Sequence, residues 1–254
     1  MSSYIYSLLG KSDPNSSLVV PGVVDGTQQA LWIAAASICF NPLYWNIVAQ
    51  NEYRNRTITK VLQGNRYLGC YLLGASIFLL GLLRDHLYNT ALSTQPTSPY
   101  LDTPLVKLGG GALFAAGNVL VLSSMWALGV TGTYLGDYFG ILMPSMVTGF
   151  PFSVVPDPMY VGSSMCFVGV ALWFAKPAGL ILSGLVMVVY LTAMRFEGPF
   201  TSNIYAEAAR AKKRGGSSKS STAAAEIEGP AAGTRSHTDS PAASTRSRAK
   251  KNSN

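Results

Sequence analysis

Hydrophobic and polar positions alternate along this chain in long blocks, not at short period. From Leu108 to Gly136 no residue is charged. An apolar run of about 20 residues is long enough to cross a bilayer as a helix. In hydrocarbon such a run must be helical, because every backbone N–H and C=O needs a partner within the segment. Lys107 to about Val130 therefore predicts a central membrane helix. Its first half is rich in small residues: Gly109, Gly110, Gly111, Ala112, Ala115, Ala116 and Gly117. Small residues allow close approach to the backbone, either by a second helix or by a ligand.

The other blocks follow the same rule. Ala30 to Phe40 is apolar but short, and Pro42 is expected to kink or end it. That length fits a segment dipping into the membrane better than one crossing it, with Tyr44 and Trp45 at the interface. Glu52 to Arg66 reads as a polar loop and Tyr67 to Leu83 as a membrane helix. Asp85 to Asp102 and Asp137 to Asp157 read as loops. Met159 to Ala175 and Ala178 to Met194 are separated only by Lys176-Pro177, so they form a tight pair or one kinked helix. Arg195 to Phe200 closes the membrane part. The fold expected is all-α: a polytopic membrane helix bundle of four to five apolar segments, the first intramembrane. It comprises an N-terminal arm (1–27), a membrane domain (28–205) and a tail (206–254).

Composition agrees with the membrane class. Of 254 residues 48% are hydrophobic and 12% charged, against about 25% charged in soluble domains. The net charge of +7 is unevenly placed. Nine Lys/Arg balance nine Asp/Glu up to Ala209, whereas ten Lys/Arg face three Asp/Glu from Arg210 onward. The tail is poor in large apolar residues and is expected to be disordered. Lys212-Lys213-Arg214 follows the last apolar run, which points to a cytosolic tail. The cluster either touches anionic headgroups or serves only as a topology signal; nucleic acid is a poor third reading. Cys39, Cys70 and Cys166 lie in apolar stretches and read as small hydrophobes. His86 and His237 are the only histidines, which argues against a metal site.

No dinucleotide fingerprint, phosphate loop, zinc-protease motif or Ser/His/Asp set is present. Gly132, Gly136 and Gly140 recur at spacing four, which favours helix packing or turn flexibility over ligand binding.

Several blocks, taken together, resemble phospholipid N-methyltransferases, most closely their fungal branch. They are Phe40-Asn41-Pro42-Leu43-Tyr44-Trp45-Asn46, Val119-Leu120-Val121-Leu122-Ser123-Ser124, Gly132 to Leu142, Pro158-Met159-Tyr160 and Pro199-Phe200-Thr201. The likeness runs in order from about Ala30 to Tyr205. It implies S-adenosylmethionine as methyl donor, no metal, and a phospholipid acceptor held in the bilayer. The implied reaction is N-methylation of phosphatidyl-N-methylethanolamine, and of its dimethyl form, to phosphatidylcholine. The implied location is the endoplasmic reticulum membrane or a mitochondrial membrane.

The family binds the donor through a Gly-x-Gly before the Val-Leu-Val-Leu run and through a Glu-Glu pair before Pro-Phe-Thr. Here these positions read Ala115-Ala116-Gly117 and Glu197-Gly198. The first glycine is replaced by alanine and the second acid is missing. Glu197 is thus left to act alone on the donor, or else forms an interfacial ion pair with Arg195. Asp137, the acid within the Gly-aromatic loop, is expected to stabilise the headgroup cation with Tyr134, Tyr138 and Phe139 through cation–π contact. Its alternative is a turn carboxylate. Gly117 and Glu197 are expected to meet at the cytosolic end of the bundle. Competing readings are an isoprenylcysteine carboxyl methyltransferase, which shares the donor, and a membrane scaffold or transporter without chemistry.

Overall fold

The computed structural model describes residues 18–144 and 147–225, with side chains as far as Ala211. The arm 1–17, the tail 226–254, and the side chains of the Lys212-Lys213-Arg214 cluster lie outside the described residues. The chain divides into two units, Met1–Ala208 and Ala209–Asn254, and the packing below belongs to the first.

Two short strands, β1 (Val19–Val20) and β2 (Val24–Asp25), pair antiparallel. The helices α1 (Gln29–Asn55), α2 (Thr57–Val61), α3 (Arg66–Thr94), α4 (Pro104–Thr133), α5 (Pro158–Trp173) and α6 (Pro177–Ala225) follow. A 3-10 turn at Gly136–Phe139 stands between α4 and α5. Four helices, α1, α3, α4 and α6, are long and apolar enough to cross a membrane, and α5 is shorter.

The first apolar segment does not stop at Pro42. Pro42 lies inside α1, whose 27 residues give roughly 40 Å at ~1.5 Å per residue. Proline removes its own N–H bond to the carbonyl four residues back, but two asparagine side chains hold the helix around it. The Asn41 amide donates to the Leu80 carbonyl at 3.2 Å, and the Asn46 amide donates to the Pro42 carbonyl at 3.0 Å. The shortness that suggested a segment dipping into the membrane is therefore gone.

Two buried clusters mark two ends of the bundle. At the distal end Leu31, Ala34 and Ile38 of α1 pack with Tyr88, Ala91 and Leu92 of α3, Phe167 of α5, and Leu182 and Val186 of α6. At the other, the site end, Ala49 joins Cys70, Leu73, Tyr138, Phe139 and Ile204. So α1 and α6 run parallel through both clusters, and α1 traverses the same depth as its neighbours. The distal end is tied by Gln95, which exchanges hydrogen bonds with the Asp25 backbone at 2.8 and 2.9 Å and accepts from Lys176 Nζ at 2.6 Å. Thr27 and Gln28 donate to the Asp25 carboxylate and hold it below the usual carboxylate range.

Helix α3 runs on past Arg84-Asp85 to Thr94, where a loop was expected. The guanidinium is taken up inside the bundle while Asp85 stays exposed: Arg84 pairs with Asp85 at 2.9 Å, donates to the Tyr190 hydroxyl at 2.6 Å and lies over the Phe167 ring. The last two apolar runs form the tight pair α5–α6, turned through Ala175 at φ 53. Helix α6 continues through Pro199 to Ala225, past the end expected at Phe200 and into the tail expected to be disordered.

Helices α4 and α5 interlock through glycines. A Cβ on Gly110 would lie 2.8 Å from the Gly169 carbonyl oxygen, and one on Gly169 would lie 2.6 Å from that of Gly110. Gly117 and Gly162 face each other in the same way, with a Cβ on Gly162 2.6 Å from the Gly117 oxygen. Such backbone approach is open only to glycine and adds weak Cα–H···O contacts. The small-residue half of α4 thus seats α5.

Candidate functional site

Glu197, on α6 at the site end, gathers three elements. Its Oε1 accepts from Trp45 Nε1 at 2.5 Å and from Asn46 Nδ2 at 3.0 Å, both on α1. Its Oε2 accepts from the Tyr160 hydroxyl on α5 at 2.5 Å. Among the described residues Glu197 forms no ion pair with Arg195 or any other cation. The interfacial Glu–Arg pair is therefore not what is formed. A carboxylate offers about four acceptor places, so three donors leave one place open on Oε2. Beside it Asn46 Oδ1 is buried with no hydrogen-bond partner.

Asp137 stands in the 3-10 turn that follows α4. Gly129 breaks α4 with φ 64, ψ −178. The turn is then bracketed by Leu135 at φ 58 and Gly140 at φ 73. A left-handed leucine is strained, and such residues persist where surrounding structure enforces them. Two glycines of α3 do so. A Cβ on Gly74 would lie 2.9 Å from the Tyr134 ring, and one on Gly69 would lie 2.8 Å from the Phe139 ring. Tyr134 and Phe139 are thus seated in notches of α3 instead of being presented to a headgroup. Tyr138 stacks on Phe200 with centroids 5.1 Å apart and planes 13° apart, and its hydroxyl is buried without a partner. The Asp137 carboxylate accepts from the Tyr138 N–H at 3.2 Å, faces Thr201, and lies in electrostatic range of Glu197. Among the described residues it too lacks an ion pair.

The remaining expected residues lie elsewhere. Gly117 is buried against Gly162 and Cys166. Gly162 and Tyr160 are two residues apart on α5, about 200° around a helix of 3.6 residues per turn. Gly117 and Glu197 therefore sit at a similar level on opposite sides of α5 and do not meet. Ala115 and Ala116 are exposed on α4, and Gly198 is exposed on α6. Residues not singled out beforehand as functional are Trp45, Asn46 and Tyr160. They lay in the blocks Phe40 to Asn46 and Pro158 to Tyr160, which end beside one another only in the fold.

Comparison with known proteins decides the family. A family model described as phospholipid methyltransferase matches residues 106–208. Over 196 residues the chain is 56% identical to phosphatidyl-N-methylethanolamine N-methyltransferase of Emericella nidulans, covering 76% of this chain and 95% of that protein. The chain belongs to the phospholipid methyltransferase family. Its likeness to the Saccharomyces cerevisiae protein of the same name is 51% over 75% of this chain and 92% of that one. Its likeness to phosphatidylethanolamine N-methyltransferase of Rattus norvegicus is 49% over 76% of this chain and 97% of that one. No solved structure matches. Within this phospholipid methyltransferase, the residues covered by the family model hold Asp137, Tyr160 and Glu197, while Trp45 and Asn46 enter from α1 outside them.

Proposed function

We propose that the protein transfers methyl groups from S-adenosylmethionine to the headgroup nitrogen of phosphatidyl-N-methylethanolamine and of its dimethyl form, yielding phosphatidylcholine. The names of its relatives support the reaction. One observation carries the site: Asp137 and Glu197 lie within electrostatic range of each other in a membrane bundle, and no cation pairs with either among the described residues. An unpaired charge withdrawn from water costs several kcal/mol, so such a site favours cationic ligands. The donor's sulfonium and the acceptor's amine are both of that class.

The residues present fit the donor. Oε2 of Glu197 and Oδ1 of Asn46 are free acceptors for amino or hydroxyl hydrogens. Bound there, S-adenosylmethionine supplies a methyl already activated on a cationic sulfur, a chemistry that requires no metal. The chain's part is alignment of nitrogen, carbon and sulfur, which is catalysis by proximity. Trp45, Asn46 and Tyr160 fix the Glu197 carboxylate so that its open lone pair has one direction. The acceptor arrives as an ammonium and must lose a proton before it can attack. Asp137, held by the Tyr138 N–H, is the carboxylate placed to receive that proton.

The acyl chains stay in the bilayer, since drawing them out would cost ~0.8 kcal/mol per CH₂. The site end is proposed to face the cytosol, where the donor is made. Arg54, Arg56, Lys60 and Arg66, from the end of α1 to the start of α3, fit the excess of positive charge on cytosolic flanks. The membrane proposed is that of the endoplasmic reticulum or the mitochondrion.

The test is a purified full chain in mixed micelles with labelled donor and each acceptor lipid in turn. Label should enter the mono- and dimethylated phospholipids. Label entering a prenylated cysteine peptide instead would assign the carboxyl-methylating reading. Donor binding with transfer to neither would return the chain to a non-catalytic role.

A further inference from the structure

A second feature opens beside Tyr138. It is a cavity of about 80 Å³ walled by Glu52, Arg56, Thr59, Arg66, Tyr138 and Gly140. We propose that Arg56 and Arg66 bind the phosphodiester of the acceptor lipid there, a proposal that rests on the reading of the chain as a phospholipid methyltransferase.

The cavity is electrostatically unbalanced. Glu52 is 1% exposed, and its carboxylate is committed locally. It accepts from the Ile58 N–H at 2.6 Å, the Thr59 N–H at 3.2 Å and the Thr59 hydroxyl. Those bonds cap the short helix α2 and fix the chain around Arg56, which sits left-handed at φ 52 between α1 and α2. Among the described residues neither Arg56 nor Arg66 forms an ion pair. Two guanidiniums therefore line a cavity that holds one carboxylate already engaged by three donors.

The geometry suits a tetrahedral oxyanion. A water needs about 10–15 Å³ of such space, so the cavity has room for a phosphate group. Guanidinium forks match phosphate oxygens two at a time, which an ammonium cannot do. Arg66 Nη1 would lie 3.1 Å from a Cβ on Gly140. The absent side chain lets the guanidinium lie close over the Gly140 backbone at the cavity wall. Arg66 is also the first residue of the 29-residue α3, whose free N–H groups add to the positive field.

Position links the cavity to the reaction. Tyr138 walls it, and Asp137 precedes Tyr138 in the same turn. In an ethanolamine phospholipid two carbons join the amine nitrogen to a phosphate oxygen. An amine held beside Asp137 and Glu197 keeps its phosphate only a few bonds away, and the cavity walled by Tyr138 brings two arginines to that turn. Its arginines stand at helix ends, the depth at which a lipid phosphate meets water.

The test uses the full chain in mixed micelles with Arg56→Gln, Arg66→Gln and Arg66→Lys. A charge-assisted hydrogen bond is worth about 1.5–3 kcal/mol, so each glutamine variant should raise KM for phosphatidyl-N-methylethanolamine about tenfold or more. The donor Kd, by equilibrium dialysis of labelled S-adenosylmethionine, should stay within about twofold, which also reports an intact fold. Arg66→Lys should recover only part of the loss. An unchanged lipid KM would overturn the proposal. So would a raised donor Kd with unchanged lipid KM, because the arginines would then serve the donor's carboxylate. A readout without turnover is titration with short-chain phosphatidylcholine, followed by tryptophan fluorescence. The double variant R56Q/R66Q should shift its midpoint at least tenfold. A parent chain that methylates no phospholipid but shows that shift would retain the phosphate site and lose the proposed activity; no shift would remove the site.

Discussion

Glu197 separates a structural role from a chemical one when two substitutions are compared. Glu197→Ala removes the acceptor from Trp45, Asn46 and Tyr160 together. A buried donor left without a partner costs about 1–3 kcal/mol. With some rescue by water entering the space, the loss should be about 3–6 kcal/mol. At roughly 2–4 °C per kcal/mol for a chain of this size, the unfolding midpoint should fall by on the order of 10 °C. Glu197→Gln is different. The amide oxygen can keep the Trp45 and Asn46 donors, and the Tyr160 hydroxyl can rotate to accept from the amide nitrogen, since a hydroxyl both donates and accepts. Stability should change by less than about 1–2 kcal/mol, because Trp45, Asn46 and Tyr160 each keep a hydrogen bond to the side chain and only the Tyr160 proton needs a new acceptor. What disappears is the negative charge. Charge-assisted hydrogen bonds are roughly twice as strong as neutral ones, so a ligand cation should lose about 1–1.5 kcal/mol, or roughly five- to tenfold in donor Kd. The assay pairs thermal unfolding in detergent with equilibrium dialysis of labelled S-adenosylmethionine. Glutamine that leaves the donor Kd untouched would remove Glu197 from the donor site. Glutamine that unfolds as early as alanine would make it a structural residue.

Gly162→Ala places a methyl 2.6 Å from the Gly117 carbonyl oxygen; overpacking of that kind costs about 1–3 kcal/mol, read as a lower unfolding midpoint. Gly117→Leu meets the same backbone with a larger side chain, so it should lower stability and yield more than it alters donor affinity; an unchanged midpoint with weakened donor binding would restore Gly117 to the donor site. Deleting residues 215 to 254, which lie beyond the family match at 106–208, should leave methyl transfer largely intact in membranes that contain the truncated chain. Protease added to sealed microsomes should remove the tail, and a protected tail would reverse the orientation proposed for the bundle.

Much of the bundle was legible because a membrane helix needs only a long uncharged run, and four such runs are plain in the sequence. The misreadings arose where a local signal was compensated in three dimensions. Pro42 reads as a helix end until Asn41 is seen bonding across to α3. Arg84-Asp85 reads as the start of a loop until Tyr190 and Phe167 are seen receiving the guanidinium. The site was legible only in part. Glu197 and Asp137 stand out as acids at the ends of apolar runs. Trp45 and Asn46 lie about 150 positions from Glu197 in the chain, and no periodicity within one helix announces a partner at that separation. Trp45 instead carried the signature of an interfacial aromatic, which describes its ring and misses its N–H. The small residues of α4 posed a choice between helix and ligand. The deciding signal was a second pair of glycines, Gly162 and Gly169, at the same separation as Gly110 and Gly117.

That matched separation governs where the sequence can change length. Seven residues return an α-helix to within about 20° of its starting direction, so the two contacts lie along one line on each helix. Adding or removing a residue between Gly110 and Gly117, or between Gly162 and Gly169, would rotate one contact about 100° off the seam and leave a carbonyl facing side chains. The connection from Ile141 to Asp157 bears no such constraint from the interlock, because both contacts form regardless of how long the chain takes to return. Natural variation in length should therefore collect in that connection and be excluded from the two seven-residue intervals. A designed tag or spectroscopic probe belongs in the connection, nearer its Asp157 end than the Met143–Tyr205 contact.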